Sequence, residues 1–139
     1  MHERKTIGLV EAQAAVKAMI DEASKGGRPM AVAVVDMAGD LIAFARMNGA
    51  TALNSRMAKN KAYTSACFGM DTRMFFNWLK GDNKDIVWYD DHRLTAVFGG
   101  VVIRTKEGVP VGAVGTSGRK QEEDEELAIA GKKAAETIL

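Results

Sequence analysis

Cysteine is almost missing from this chain: there is one thiol, Cys67, in 139 residues. A lone cysteine excludes an intrachain disulfide and any cysteine-based metal cluster. Its small and aromatic neighbours in KAYTSACFG place it as a buried helix residue. No sign of charge dominates, with 19 basic against 18 acidic side chains. No basic block interleaved with aromatics suggests a surface that tracks phosphates, so nucleic acid is not an expected partner. The opening MHERKTIGLVEA has charges followed by a helical pattern and lacks the apolar core of a secretion signal or membrane span, so a cytoplasmic protein with no membrane partner is expected. There is no internal repeat, no low-complexity tract, no G-x-S-x-G, no H-E-x-x-H and no paired cysteines. No metal site is expected.

What is present is a clear alternation of helical and strand patterns within a length that suits one domain, 1–139. Val10, Ala14, Val16, Met19, Ile20 and Ala23 recur at three- and four-residue intervals, which predicts a helix from Gly8 to Lys25 stopped by Gly26, Gly27 and Pro29. Met30 to Val35 is an apolar, β-branched run, and Asp36 to Asp40 supplies turn chemistry before a second strand, Leu41 to Met47. Thr51 to Phe68 is rich in helix formers and ends at Gly69. Asp71 caps a short helix over 72–80, and residues 82–94 read as a long functional or interface loop. Thr95 to Thr105 and Val109 to Gly115 flank Lys106-Glu107-Gly108 as a second hairpin, with Pro110 at a strand start or on an edge. The last helix spans Gln121 to Ile138, with Leu127, Ile129, Ala130, Ala134 and Ile138 inward and Glu122 to Glu125 complementing its dipole. This order implies an α+β fold, an antiparallel sheet flanked by helices.

Strands that end in glycine-rich turns deliver their last polar residues to a rim, making Arg46, Asn48, Ser117 and Asp124 the first site candidates. His92, in the run Trp88-Tyr89-Asp90-Asp91-His92-Arg93, is the other. An imidazole set by a neighbouring carboxylate is a natural acid/base. His92 and Asp91 could thus serve a small lyase, isomerase or hydrolase, with Arg46 gripping a substrate carboxylate and Tyr89, Glu123 or Asp124 as auxiliary groups. Met57, Met70 and Met74 read as core filler on helices. Phe75, Phe76, Trp78 and Trp88 suit a subunit contact and an internal cluster equally well.

Several motifs in order carry a resemblance: Val34, Val35, Asp36, Gly39 and Leu41; Arg46, Met47, Asn48, Gly49 and Ala50; Lys61, Ala62, Tyr63, Thr64 and Ser65; and the glycine series from Gly108 to Gly118. From about residue 8 to 138 the chain resembles the GlcG/HbpS-like haem-binding family, which is related to the PduO C-terminal domain. The resemblance implies a profilin-like architecture and a homo-oligomer, dimer to octamer. It also implies binding of haem, a corrinoid or another small anionic molecule, in a setting of small-molecule catabolism. A pocket formed by Arg46, Asn48, Lys61, His92 and Ser117 is the expected cofactor or ligand site. Asn48 stands where the family has an aspartate, which leaves the Arg46 guanidinium freer for an anion.

Overall fold

Continuous burial along the most apolar segment, 31–35, organises the molecule. The computed structural model describes residues 1–139. Four strands, β1 (Ala31–Asp36), β2 (Leu41–Arg46), β3 (Gly100–Arg104) and β4 (Pro110–Ser117), form one antiparallel sheet in the order β2-β1-β4-β3. The two hairpins therefore meet along β1 and β4, which explains why those strands are buried along nearly their whole length while β2, at an edge, is only half-buried. Pro110 opens β4, where its missing N–H costs least.

Helices cover both faces. Helices α1 (Leu9–Ala23) and α4 (Gln121–Thr137) pack on the side that carries Val32, Val34, Val101, Ile103 and Val114, together with Ala12, Ala15, Met19, Ala128 and Ala135. Helix α2 (Ala52–Phe68) covers the other side, where Ala31, Ala33, Val35 and Ala113 meet Ala58, Ala62 and Ala66. This second seam is made of very small residues, and the helix lies close on the sheet. A Cβ added to Gly115 would fall 2.1 Å from the Ala58 carbonyl oxygen, and one on Gly100 would fall 2.3 Å from that of Lys61. The expected α+β architecture, an antiparallel sheet flanked by helices, is what the chain adopts.

Local chemistry fixes the ends of α2. Thr51 Oγ1 accepts from the Asn54 N–H at 3.1 Å while Asn54 Oδ1 accepts from the Thr51 N–H at 2.9 Å, a reciprocal cap. Gly69 ends the helix in the left-handed conformation, φ +63°. Helix α3 (Thr72–Gly81) follows, and here the expected cap is reassigned. The Asp71 carboxylate makes no bond to its own helix and accepts instead from the Val102 N–H at 2.9 Å, tying α3 to β3.

Other expectations need correction. Strand pairing in the second hairpin begins at Gly100 rather than Thr95, because 95–99 is held by side chains: the Thr95 N–H donates to Thr64 Oγ1 and the Phe98 N–H to Gln121 Oε1. Cys67 is exposed, since α2 points Ala58, Ala62 and Ala66 at the sheet and turns Cys67 away from it. Met74 is on the outer face of α3 and exposed, whereas Phe75 and Leu79 face inward. Val10 and Ile138 are also exposed: the inner face of α1 is Ala12, Ala15, Met19 and Ala23, and α4 ends one residue before Ile138. No helix is long and apolar enough to cross a membrane.

Candidate functional site

The segment after α3 is irregular but held at several points. Asp85 starts a short 3-10 turn, Ile86–Tyr89, by accepting from the Val87 N–H at 3.0 Å, and Asp90 ends it with φ +53°. Beneath the turn, Tyr89 meets the Phe68 ring edge-on with centroids 5.4 Å apart, and Phe75 and Trp78 complete an aromatic layer. The four aromatics weighed for an interface thus divide. Phe75 is fully buried and Trp78 partly so, while Phe76 and Trp88 point outward.

A second turn follows at once. Asp91 Oδ1 accepts from the Arg93 N–H at 3.0 Å, which projects the intervening His92 into solvent. His92 lines a cavity of about 420 Å³ together with Ile86, Val87, Asp90, Asp91 and Leu94. Its imidazole makes no hydrogen bond. Asp91, expected to orient His92, is engaged on the other side: the Tyr63 hydroxyl donates to Asp91 Oδ2 in a short hydrogen bond, and Arg93 Nη2 donates to the same hydroxyl at 2.6 Å while its guanidinium lies over the Tyr63 ring. The Tyr63 hydrogen bond and the Arg93 N–H hold the Asp91 carboxyl below its ordinary range, and the Asp91 bond pushes the Tyr63 phenol up. Tyr63 is in turn seated against Gly39 at the tip of the first hairpin, where φ is +87° and a Cβ would come within 3.0 Å of the ring.

The remaining candidates lie elsewhere. Arg46 pairs across the sheet with Ala31, and Ala31 with Ser117. Directly opposed residues share a face, so Arg46 and Ser117 lie on the α2 side at one end of the sheet, two strand spacings or roughly 10 Å apart. Arg46 and Asn48 are exposed and Ser117 is buried. None of Arg46, Asn48, Lys61 and Ser117 lines the His92 cavity, so the single pocket expected from these five residues is not formed within one chain.

Asp124 is not a rim residue, and Lys61, expected in the pocket, is equally enclosed. Lys61 is 1% exposed and Asp124 2%. The Lys61 ammonium donates to Asp124 Oδ2 at 3.0 Å and to the Thr116 carbonyl at 2.9 Å, and Asp124 Oδ1 accepts from the Arg119 N–H at 2.9 Å. Thr116 Oγ1 closes the network with a short bond to the Asp124 carbonyl. Burial lowers the Lys61 pKa and raises that of Asp124, each opposed by the attraction of its partner. This pair joins α2, β4 and α4 and offers no surface to a ligand.

The family model described as "Haem degrading protein HbpS-like" matches residues 7–133. The chain belongs to the HbpS-like family. An uncharacterized 15.0 kDa protein in the dhaT-dhaS intergenic region of Citrobacter freundii is 29% identical over 124 residues, covering 88% of this chain and 87% of that one. A crystal structure of a Streptomyces reticuli HbpS double mutant is 28% identical with a TM-score of 0.85, over 96% of this chain and 89% of the other. A PduOC:haem complex matches at 20% identity and a TM-score of 0.83, over 93% and 94%. In this HbpS-like chain the K-A-x-T stretch of α2 serves two environments: Lys61 seals the interior, and Tyr63, two residues on, holds the Asp91–Arg93 turn at the surface.

Proposed function

We propose that the protein binds a haem-type tetrapyrrole, with His92 as the iron ligand. The observation that carries this reading is the His92 imidazole, free of hydrogen bonds, in a cavity whose other walls include the apolar side chains of Ile86, Val87 and Leu94. Iron in haem is commonly held by an imidazole, and the macrocycle asks mainly for apolar cover. Bound haem supplies redox-active iron; the chain supplies the ligand atom, the apolar wall and a turn held in place by Asp91 and Tyr63. Family membership supports the reading, as does the fact that PduOC, a protein of the same fold, has been crystallised with haem.

The competing reading, an acid/base enzyme acting on an organic acid, needs a carboxylate to orient His92 and an anchor beside it. Asp91 is bonded to Tyr63 and Arg93, and Arg46 is absent from the cavity walls. The homo-oligomer, dimer to octamer, and the cytoplasmic setting belong to the same proposal, and light scattering on the purified protein measures the first. The ligand is tested by haemin titration. A saturable Soret shift that His92→Ala abolishes or moves is expected. An unchanged spectrum, or the same titration curve in His92→Ala, sinks the reading.

A further inference from the structure

On the other side of the Tyr63–Asp91–Arg93 network from His92 lies a second concavity of about 270 Å³, formed by Val35, Gly39, Asp40, Leu41, Lys59, Asn60, Tyr63 and Arg93. It lies between the tip of the first hairpin and the exposed flank of α2. Several of its polar groups keep unused hydrogen-bonding capacity. Lys59 has no carboxylate within ion-pair distance and rests over the Phe44 ring, 4.6 Å from the centroid. The Asn60 carboxamide makes no hydrogen bond. Arg93 uses Nε toward Asp91 and Nη2 toward Tyr63, leaving Nη1 free. The Asp40 carboxylate is likewise unpaired, although the Asp40 backbone N–H is held by Asp36 Oδ1 at 3.0 Å. Two cations, one free amide and one free carboxylate therefore line a space near the small end of ligand-pocket volumes, about 300 Å³. Tyr63 and Gly39 fix its floor, since the ring fits against a glycine that cannot carry a side chain without displacing it.

We propose that this concavity binds a small carboxylate that also carries a hydrogen-bond donor, such as an amino or hydroxy acid. Lys59 and the free Nη1 of Arg93 take the carboxylate, because a guanidinium edge and an ammonium are the natural partners of a planar anion. Asp40 takes the donor, and a simple anion without one would leave that carboxylate as an uncompensated repulsion. Leu41 and Val35 accommodate a short aliphatic chain. The proposal does not rest on the haem reading, as the two cavities have no lining residue in common.

Propionate, lactate and alanine share one carbon skeleton and differ in bearing hydrogen, hydroxyl or ammonium at the second carbon. Titrating each into the full ¹⁵N-labelled chain, with amide shifts read at Gly39, Asn60 and Arg93, tests the site. Lactate or alanine is expected to bind at least tenfold more tightly than propionate. Lys59→Ala is expected to weaken binding at least tenfold, and Asp40→Asn to erase the preference over propionate. His92→Ala is expected to change nothing here. Equal binding of all three acids, no saturable shift at these amides, or unaltered binding in Lys59→Ala overturns the proposal. Lys59 and Asp40 are both exposed, so their variants retain the fold, and unchanged amide spectra elsewhere verify it.

Discussion

Helix α2 presents two charged clusters on opposite sides, and they behave in opposite ways. Lys61 enters the interior and is sealed with Asp124, whereas Tyr63, about 200° further round the helix, faces outward to the Asp91–Arg93 turn. In the inner cluster the Lys61 ammonium and both Asp124 carboxylate oxygens have partners and no water-facing surface. The outer one leaves His92, Lys59, Asn60 and Asp40 with unused hydrogen-bonding capacity beside two concavities. Completed networks hold architecture together, and incomplete ones at the surface are where a ligand gains binding energy.

Breaking the inner cluster gives the largest effect. Asp124→Ala leaves a buried ammonium unpaired and is expected to cost about 3–5 kcal/mol in urea unfolding. The double variant Lys61→Met with Asp124→Leu is expected to lose far less than that. A near-neutral Asp124→Ala breaks the distinction between the two clusters. The next effect comes from the outer side: Gly39→Ala forces a side chain into a positive-φ position against the Tyr63 ring, with an expected loss of about 1–2 kcal/mol. Near-UV circular dichroism reports the displaced tyrosine, and an unchanged spectrum contradicts the close seating. His92→Ala is expected to leave unfolding free energy within about 0.5 kcal/mol of the parent, as an exposed side chain without bonds should. A larger loss assigns His92 to the architecture.

The smallest effect is in acid. The Asp91 carboxyl is held below its ordinary value of 3.8, so in that range the folded chain binds fewer protons than the unfolded one. The contribution of the turn is complete above the ordinary value and is lost as pH falls through the depressed one. The Arg93 Nε resonance is expected to shift with a midpoint below the ordinary carboxyl value of 3.8. A midpoint at or above 3.8 shows that Tyr63 and Arg93 do not stabilise the carboxylate.

Periodicity and turn chemistry made the helices, the hairpins and the α2 ends readable, because each depends on neighbours in the chain. The site was read less well. Asp124 reads as a rim group since glycine-rich strand ends are ordinarily exposed, Lys61 reads as a pocket residue through the family resemblance, and nothing local announces that a lysine on α2 will reach a carboxylate 63 positions away. Likewise Asp91 precedes His92 directly, yet adjacent residues on a tight turn project apart, and its partner, Tyr63, comes from another element. Lys59, Asn60 and Arg93 went unnoticed because they converge only through the fold.

The alanine–glycine seam under α2 has a consequence for motion. With backbone packed nearly on backbone at Gly115 and Gly100, the helix can neither roll nor slide without collision. Helix α2 is therefore a fixed post for the residues seated on it, and slow amide exchange along α2 is the expected signature.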